Sequence, residues 1–332
     1  MHQTFDQADV VNFHGLLNGF VNFLALPSLS EQRNVVVTLR SMWCFTGHCA
    51  FSIDCDKWKT GCGGCPHLDY YPPVRRDSTA IEWKLKKWSY SRSKLTIVAL
   101  SDWLATQARQ SILSHFPIHT IHNGVDTEAY RPLDTAMCKD LLCIPPGKKV
   151  LMFMAVSNNN YRKGGDLLLE ALKSLPGELR NETVLLLVGN QGSSLARQSG
   201  METIDLGYVS SRRLKAIAYN AADIFVMPTR GESFGQVALE SQACGTPVVS
   251  YAVGPIPEVV HHGETGFLAE PESGEDLGRW ISELLFDDAL RASMGPKGRD
   301  LAIKKFSIDR ETASYQELYQ SLLGEKGMRD IC

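Results

Sequence analysis

The sequence has no long uninterrupted apolar run, and this absence argues against a membrane span. The most apolar early segment, residues 10–29, is broken by Asn12, His14, Asn18 and Asn22, which are too polar for the core of a bilayer. The N-terminus also lacks a basic region followed by an apolar core, so we predict no signal peptide. These absences predict a cytoplasmic protein, and they leave peripheral association with the inner face of the membrane open.

An excess of basic residues is absent as well. The chain has 34 Lys and Arg against 37 Asp and Glu, a net charge of −3, so no diffuse basic surface is available and we predict no nucleic-acid partner. No low-complexity tract or fixed-period repeat occurs, which argues against solenoids and propellers. A length of 332 residues with 44% hydrophobic and 21% charged residues indicates two globular domains of ordinary size.

Cysteine is present but unevenly distributed, because five of the nine cysteines fall in the loop 44–66. Clustering without a secretion signal favours metal ligands over disulfides. Cys62 and Cys65 form a C-x-x-C knuckle, and Cys49 and Cys55 complete a tetrahedral set, so we predict a structural zinc site. A loop of reduced thiols is the alternative. The cysteines that we interpret as incidental are Cys138, Cys143, Cys244 and Cys332.

Alternating strand and helix patterns give the organisation of the chain. Short apolar runs at 35–39, 95–100 and 120–122 predict buried strands in the first part. After residue 147 the pattern predicts strands at 150–156, 183–188, 224–227 and 247–250, with helices at 165–174, 211–220 and 233–244. Strands that alternate with helices predict a parallel, doubly wound α/β sheet, which binds its ligands at the carboxyl ends of the strands.

Those strand ends carry cations, polar amides and an acid. Residues 157–165, 189–192 and 228–232 follow three successive predicted strands, and together they suit a sugar diphosphate. Lys163 can neutralise the diphosphate, the amides at the start of the helix predicted from Ser233 can bind the same oxygens, and Glu232 can fix a sugar hydroxyl. Glu240, two helical turns further on, can accept hydrogen bonds from a ribose diol. The alternative is a solvated loop lysine and an exposed helix glutamate.

Several ordered motifs then give a specific resemblance. They are Asn123-Gly124-Val125-Asp126 with Tyr130-Arg131-Pro132, Arg162-Lys163-Gly164, the E-x7-E pair Glu232 and Glu240, and the blocks 221–228, 243–249 and 257–266. From about residue 98 to 306 the chain resembles a retaining glycosyltransferase of family 4, which implies the GT-B fold with two Rossmann-like doubly wound parallel sheets. The cysteine stretch resembles a subgroup associated with exopolysaccharide and colanic-acid-type assembly.

The resemblance implies domains and roles. Residues 1–128 correspond to an acceptor-side domain, 129–305 to a nucleotide-sugar donor domain, and 306–325 to a terminal helix that crosses back to the first domain. It implies catalytic roles for Lys163 and Glu232 and no cofactor for catalysis. The donor-binding residues that it implies are Arg162, Asn190, Tyr208, Ser233, Phe234, Gly235 and Glu240.

Three departures from the family pattern qualify this expectation. The usual first strand and glycine-rich loop are not found before residues 9–14, so we expect an incomplete N-terminal sheet and a truncated sequence. Arg40 stands where the subgroup has a histidine that reaches toward the transferred sugar; His14 and His48 are candidate substitutes. The Gly-Arg pair that the family has before Lys-Gly is replaced here by residues 155–158 (Ala-Val-Ser-Asn), and Arg162 is the candidate replacement for the missing guanidinium.

Two functions remain open on the sequence alone. The first is transfer of a sugar, with retention of configuration, from a nucleotide-sugar donor to a polysaccharide or lipid-linked oligosaccharide. The second is a truncated or catalytically impaired homologue that serves as a binding or assembly module. The intact donor-side motifs favour the first function, and Arg40 with the missing strands favours the second.

Overall fold

The structure is a computed structural model that describes residues 7–17, 19, 21–157 and 160–329. Residues 1–6, Asn18, Asn158, Asn159 and Cys332, on which some predictions rest, lie outside this description. The chain forms two compact units: one contains the residues up to His122 and from Glu311 onward, and the other is Asn123–Arg310. These divisions fall a few residues from the boundaries predicted at 128 and 305.

The first unit is built on a parallel four-stranded sheet of order β1-β2-β3-β4 in the described residues. β2 and β3 are buried apolar strands with a direct parallel register, Val37 opposite Ile97. The strands are β1 (Val10–His14), β2 (Asn34–Leu39), β3 (Leu95–Ala99) and β4 (Ile118–Thr120), and the helices are α1 (Leu26–Gln32), α2 (Thr79–Tyr90) and α3 (Asp102–Arg109). Short 3₁₀ turns lie at Phe23–Ala25, Met42–Phe45 and Lys57–Lys59.

The C-terminal helix completes this first unit. It is α13 (Ile308–Arg329), and its Tyr315 and Leu318 pack against Val36 and Val98 of the sheet. The Tyr315 hydroxyl also lies 3.0 Å from Thr38 Oγ1. The sheet face that α13 covers is therefore shielded from water by residues distant in sequence. No described helix of the chain is both long and apolar enough to cross a bilayer.

The second unit contains a parallel six-stranded sheet of order β10-β9-β8-β5-β6-β7. Its strands are β5 (Lys149–Ser157), β6 (Thr183–Asn190), β7 (Thr203–Asp205), β8 (Ile224–Met227), β9 (Val248–Tyr251) and β10 (Gly266–Ala269). Its helices are α4 (Thr135–Leu141), α5 (Gly165–Ser174), α6 (Gly177–Glu182), α7 (Gly192–Ser199), α8 (Arg212–Ala221), α9 (Gln236–Ala243), α10 (Ile256–Val259), α11 (Gly274–Phe286) and α12 (Asp288–Phe306), and a 3₁₀ turn lies at Tyr161–Lys163.

Near-continuous apolar runs explain why these strands lie at the centre of the sheet. Helices cover a doubly wound sheet on both faces, so its strands have no solvated side and need no polar alternation. Phe153, Leu185 and Val226 belong to one buried cluster with Leu168 of α5 and Ile281 of α11. The predicted parallel, doubly wound α/β fold is confirmed by this topology.

The strand order fixes where a ligand can bind. β5 is first in sequence, and it pairs with β6 on one side and with β8 on the other. Successive crossovers therefore run in opposite directions from β5, which opens a crevice at the carboxyl ends of β5 and β8. The loops that follow these two strands carry Arg162, Lys163 and Glu232.

Most predicted elements are found, and two are displaced. Helix 165–174 and strand 224–227 are confirmed with the predicted bounds. The helix predicted at 233–244 begins only at Gln236, because Gly235 has a φ of +105° that no right-handed helix accommodates. The strand predicted at 120–122 lies two residues earlier, at Ile118–Thr120, because so short a run of apolar residues does not define where a strand begins and ends.

Candidate active site

The loop after β5 is a tight turn that carries both cations. Asn160 Oδ1 accepts a hydrogen bond from the Arg162 amide at 3.0 Å, which caps the 3₁₀ turn Tyr161–Lys163. Gly164 follows with a φ of +71°, and a Cβ on it would lie 1.8 Å from the carbonyl oxygen of Pro228. The turn therefore packs directly on the end of β8, and α5 begins immediately after it at Gly165.

Glu232 lies between the two cations at the centre of the site. Its Oε1 is ion-paired with Lys163 Nζ and lies 3.0 Å from Arg162 Nη1. Arg162 Nη1 also donates to the Gly231 carbonyl at 2.7 Å. The structure thus brings the predicted Glu232 together with the predicted Arg162 and Lys163, which lie about seventy positions earlier in the sequence.

Opposite charges set the protonation of this cluster. The Glu232 side chain is 12% exposed, and its burial opposes ionisation, but Lys163 and Arg162 outweigh that cost and lower its pKa. Burial lowers the pKa of Lys163, and the attraction of Glu232 partly offsets it. Two cations around one carboxylate leave an excess of positive charge beside the N-terminus of α5, which suits a phosphate group.

No pattern in the sequence predicted a role for Arg230, which joins the loop after β8 to the loop after β5. Its guanidinium, only 5% exposed, makes two hydrogen bonds to Asp166 in the first turn of α5, at 2.9 and 2.7 Å. It also donates to the Tyr161 carbonyl at 2.7 Å and lies 3.9 Å from the centre of the Tyr161 ring. These hydrogen bonds from Arg230 lower the pKa of Asp166. Arg230 therefore positions the turn that carries Arg162 and Lys163.

We expect the Arg230–Asp166 pair to show energetic coupling. In a double-mutant cycle with Arg230→Gln and Asp166→Asn, urea unfolding should give a coupling of about 1 kcal/mol, in the lower part of the usual range because Asp166 is half-exposed. The exposed pair Lys304–Asp300, at 2.8 Å, is the matched control, and its cycle should give about 0–0.5 kcal/mol. Equal coupling in the two cycles would contradict a special role for Arg230.

The hydrogen-bond partner of Glu240 lies outside the cluster of Arg162, Lys163 and Glu232. It is the fifth residue of α9, it is 9% exposed, and its Oε2 accepts a hydrogen bond from the Tyr219 hydroxyl at 3.2 Å. Burial raises its pKa despite Lys215 and the hydroxyls of Tyr219 and Tyr130. The partner of the predicted ribose-binding carboxylate is thus a tyrosine of α8, and sequence spacing carried no signal for that contact.

The remaining predicted donor residues lie at the end of β6 and on the loops that follow β7 and β8. Asn190 is the exposed last residue of β6, and Tyr208 is 61% exposed on the loop after β7. The end of β6 contacts the loop after β7, because the Gly189 amide donates a hydrogen bond to the Gly207 carbonyl at 2.7 Å. Ser233 and Phe234 precede α9, and Gly235 is the N-cap of that helix. The buried Phe234 ring packs edge-on against the Phe306 ring, with 5.6 Å between the ring centres.

The residues of the first unit that the sequence singled out are placed as follows. Arg40 is exposed directly after β2, and His14 is the exposed last residue of β1. His48 is buried in the cysteine loop, where its Nε2 lies 3.4 Å from Cys65 Sγ. The Gly47 amide donates to Cys62 Sγ at 3.2 Å, and Cys49 and Cys55 are partly buried nearby in the same loop.

Both parts of the chain match family models. The model described as "Glycosyl transferases group 1" matches residues 144–301, and the model described as "Glycosyltransferase Family 4" matches residues 1–129. The D-inositol 3-phosphate glycosyltransferase of Mycobacterium tuberculosis (strain H37Rv) is 34% identical over 239 residues, which cover 66% of this chain and 48% of that protein. The chain spans about half the length of the curated relatives it matches.

Solved structures show the same fold. Sucrose-phosphate synthase from Thermosynechococcus elongatus gives a TM-score of 0.76 at 22% identity, over 96% of this chain and 75% of that chain. Anabaena Alr3699/HepE, solved in complex with UDP-glucose, gives a TM-score of 0.70 at 20% identity, over 96% of this chain and 80% of that chain. At these identities the likeness establishes the fold, which is α/β with two Rossmann-like domains of the GT-B type.

Proposed function

We propose that this chain, whose two parts match glycosyltransferase family models, transfers a sugar from a nucleotide-sugar donor to a glycan acceptor. One observation carries the proposal: Arg162, Lys163 and Glu232 meet at the carboxyl ends of β5 and β8. The cations match a diphosphate, and the carboxylate matches a sugar hydroxyl.

Each residue has a distinct part in the proposed reaction. Lys163 and Arg162 hold the diphosphate and stabilise the negative charge that grows on it as the bond between the anomeric carbon and the phosphate oxygen breaks. Glu232 accepts a hydrogen bond from the transferred sugar and fixes its orientation. Glu240 receives the ribose hydroxyls, and the exposed Tyr208 loop borders the base.

Retention of anomeric configuration is part of the proposal. The acceptor hydroxyl attacks the face from which the diphosphate leaves, its proton passes to a leaving phosphate oxygen, and the nucleoside diphosphate is released. This route needs no carboxylate nucleophile, so Glu232 remains free to bind the sugar. Analysis of the product anomer by NMR decides this point, because an inverted product would rule the route out.

Donor binding also implies a change of partners for the two cations. Without a donor, Lys163 and Arg162 are both paired with Glu232. A diphosphate carries more negative charge than one carboxylate, so it competes for both cations and releases Glu232 toward the sugar. Donor binding is therefore an exchange of ion pairs within one cluster.

A panel of nucleoside diphosphates and their sugars tests the donor class. We expect at least one of UDP, GDP, ADP and their glucose or mannose derivatives to raise the melting temperature, because a ligand that binds only the folded chain stabilises it. Lys163→Ala should abolish that shift, whereas Lys297→Ala, at a lysine of α12, should preserve it. Failure of every nucleotide to shift the wild type would contradict the proposed donor site.

For the acceptor and location we propose a polysaccharide or lipid-linked oligosaccharide of an exopolysaccharide pathway, at the cytoplasmic face of a membrane. The resemblance of the cysteine stretch supports the acceptor class. Flotation of the chain with anionic vesicles, compared with neutral vesicles, tests the membrane association. Recovery of the protein away from both vesicle types would count against it.

The second candidate is a binding or assembly module without turnover. It is favoured by Arg40, which follows β2 in the position of the expected histidine and whose guanidinium has no acceptor nitrogen to act as a neutral imidazole does. The two functions separate cleanly in one assay. A nucleotide sugar that raises the melting temperature but releases no nucleoside diphosphate, with or without acceptor, would favour the module.

A further inference from the structure

The segment between β2 and α2 is long and almost without regular structure. Residues 41–78 contain only the 3₁₀ turns Met42–Phe45 and Lys57–Lys59. Segments of this length in compact domains usually have a function or an anchor of their own. The anchors in its first part are Phe45, packed on the buried Trp58 at 5.2 Å, and the buried Lys86, whose Nζ donates to the carbonyls of Trp43 and Thr46 at 2.7 and 3.0 Å.

The C-x-x-C turn is fixed by separate contacts. Lys57 Nζ donates to the Gly63 and Gly64 carbonyls at 3.1 and 2.6 Å, and Asp77 accepts a hydrogen bond from the Cys65 amide at 2.8 Å. Gly63 and Gly64 both have positive φ, +140° and +54°. The backbone between the two cysteines is thus held in one conformation that only glycine adopts without strain.

A second segment of the loop, Gly47–His48, contacts both thiols of this turn. The Gly47 amide donates to Cys62 Sγ at 3.2 Å, and the next residue, His48, places Nε2 3.4 Å from Cys65 Sγ. A Cβ on Gly47 would lie 2.9 Å from the Cys62 Cβ, so the close approach depends on glycine. Two sulfur atoms from the C-x-x-C turn and one imidazole nitrogen from His48 therefore lie where these two segments of the loop meet.

The hydrogen bond of the other ring nitrogen fixes the tautomer of His48. Nδ1 lies 3.1 Å from the Pro72 carbonyl oxygen, and a carbonyl can only accept, so Nδ1 carries the hydrogen. The lone pair of Nε2 is then directed at Cys65. A histidine that donates through one nitrogen to a backbone carbonyl and offers the other is the usual arrangement around a protein-bound metal ion.

We propose that this loop binds one zinc-class divalent ion through His48 Nε2 and the thiolates of Cys62 and Cys65, with a fourth thiolate from Cys49 or Cys55. Zinc prefers four ligands in a tetrahedral arrangement and binds thiolate and imidazole groups well, and this set supplies four such ligands. His48 changes the four-cysteine set that the sequence predicted. Within the described residues no three of these donor atoms lie mutually within 4.8 Å, so the ion draws the side chains together and displaces the thiol protons into solvent.

Metal content of the full-length chain tests the proposal. Protein purified anaerobically under reducing conditions should contain about one equivalent of zinc, as a closed structural site does. Replacement by Co²⁺ should give the intense visible bands of a tetrahedral thiolate site. Wild type that contains no zinc and gives no such bands with added Co²⁺ would overturn the proposal, and so would a Cys62–Cys65 disulfide in the same material.

Matched variants identify the ligands. Cys62→Ser and His48→Ala should lose the metal, whereas Cys143→Ser, at an exposed cysteine outside the loop, and His67→Ala, at a histidine stacked on Tyr70, should retain it. Of Cys49→Ser and Cys55→Ser, the variant that loses the metal names the fourth ligand. Retention in both, or in His48→Ala, would contradict the proposed set. If Cys62→Ser does not fold, Co²⁺ titration of chelator-treated wild type replaces it.

Discussion

Glu232→Ala should reduce sugar transfer by about 10²- to 10³-fold in kcat/KM, the usual cost of removing one preorganised polar group from an active site. The acid fixes the transferred sugar in the proposed reaction, and alanine offers no acceptor for its hydroxyl. The variant should still bind a nucleoside diphosphate, because Lys163 and Arg162 remain and no carboxylate competes for them. Release of nucleoside diphosphate measures the first effect and calorimetry measures the second.

The fold of this variant should survive, and its acid sensitivity should change. Loss of a largely buried carboxylate between two cations costs about 1–3 kcal/mol. Because folding lowers the pKa of Glu232, its ionised form stabilises the folded chain above its ordinary pKa of 4.5, and that stability disappears as pH falls through the lowered folded value. Between pH 5 and pH 3, Glu232→Ala should therefore lose less free energy of unfolding than the wild type does.

A control at an unpaired exposed site is available in the same unit. Glu178, in the first turn of α6, is exposed, and Glu178→Ala should leave both turnover and nucleotide binding unchanged. Normal turnover in Glu232→Ala would contradict the proposed role of this acid, and loss of nucleotide binding in it would contradict the exchange of ion pairs.

Gly164→Ala should be the most destabilising single substitution at the site. The new Cβ would lie 1.8 Å from the Pro228 carbonyl oxygen, and the residue would keep a φ of +71°. The turn must then leave the end of β8, so we expect a loss of about 3 kcal/mol or more in urea unfolding, the range for strain combined with overpacking. Donor binding should weaken with it, because Lys163 is the preceding residue.

The matched control for this prediction is another glycine in the same unit. At Gly177 a Cβ would meet nothing within 4 Å, and the residue is the first of α6. Gly177→Ala should change stability by less than about 1 kcal/mol, in the stabilising direction, because alanine restricts the unfolded chain. If both variants were equally stable, the close contact at Gly164 would have no energetic importance.

The sequence allowed much of the second unit to be predicted, because its strands are continuous apolar runs and glycine or proline marks their ends. The start of α9 was misplaced, because Ser233 is a residue type that is typical of an N-cap, whereas the N-cap is Gly235, whose φ is +105°. The meeting of Lys163 with Glu232 followed from parallel strand order. The Arg230–Asp166 pair, 64 residues apart, has no periodicity and could not be inferred before the loops were placed.

The contact between Gly189, at the end of β6, and Gly207, in the loop after β7, has a consequence for how such a chain diversifies. Buried groups such as Arg230 hold the turn that carries Arg162 and Lys163. Tyr208, in contrast, is exposed on a loop that contacts the end of β6 through a backbone hydrogen bond. Side chains there can be exchanged without disturbing that backbone contact. In the proposed reaction, substitutions at this exposed loop would change the nucleotide preference, while the residues proposed to hold the diphosphate are inherited intact.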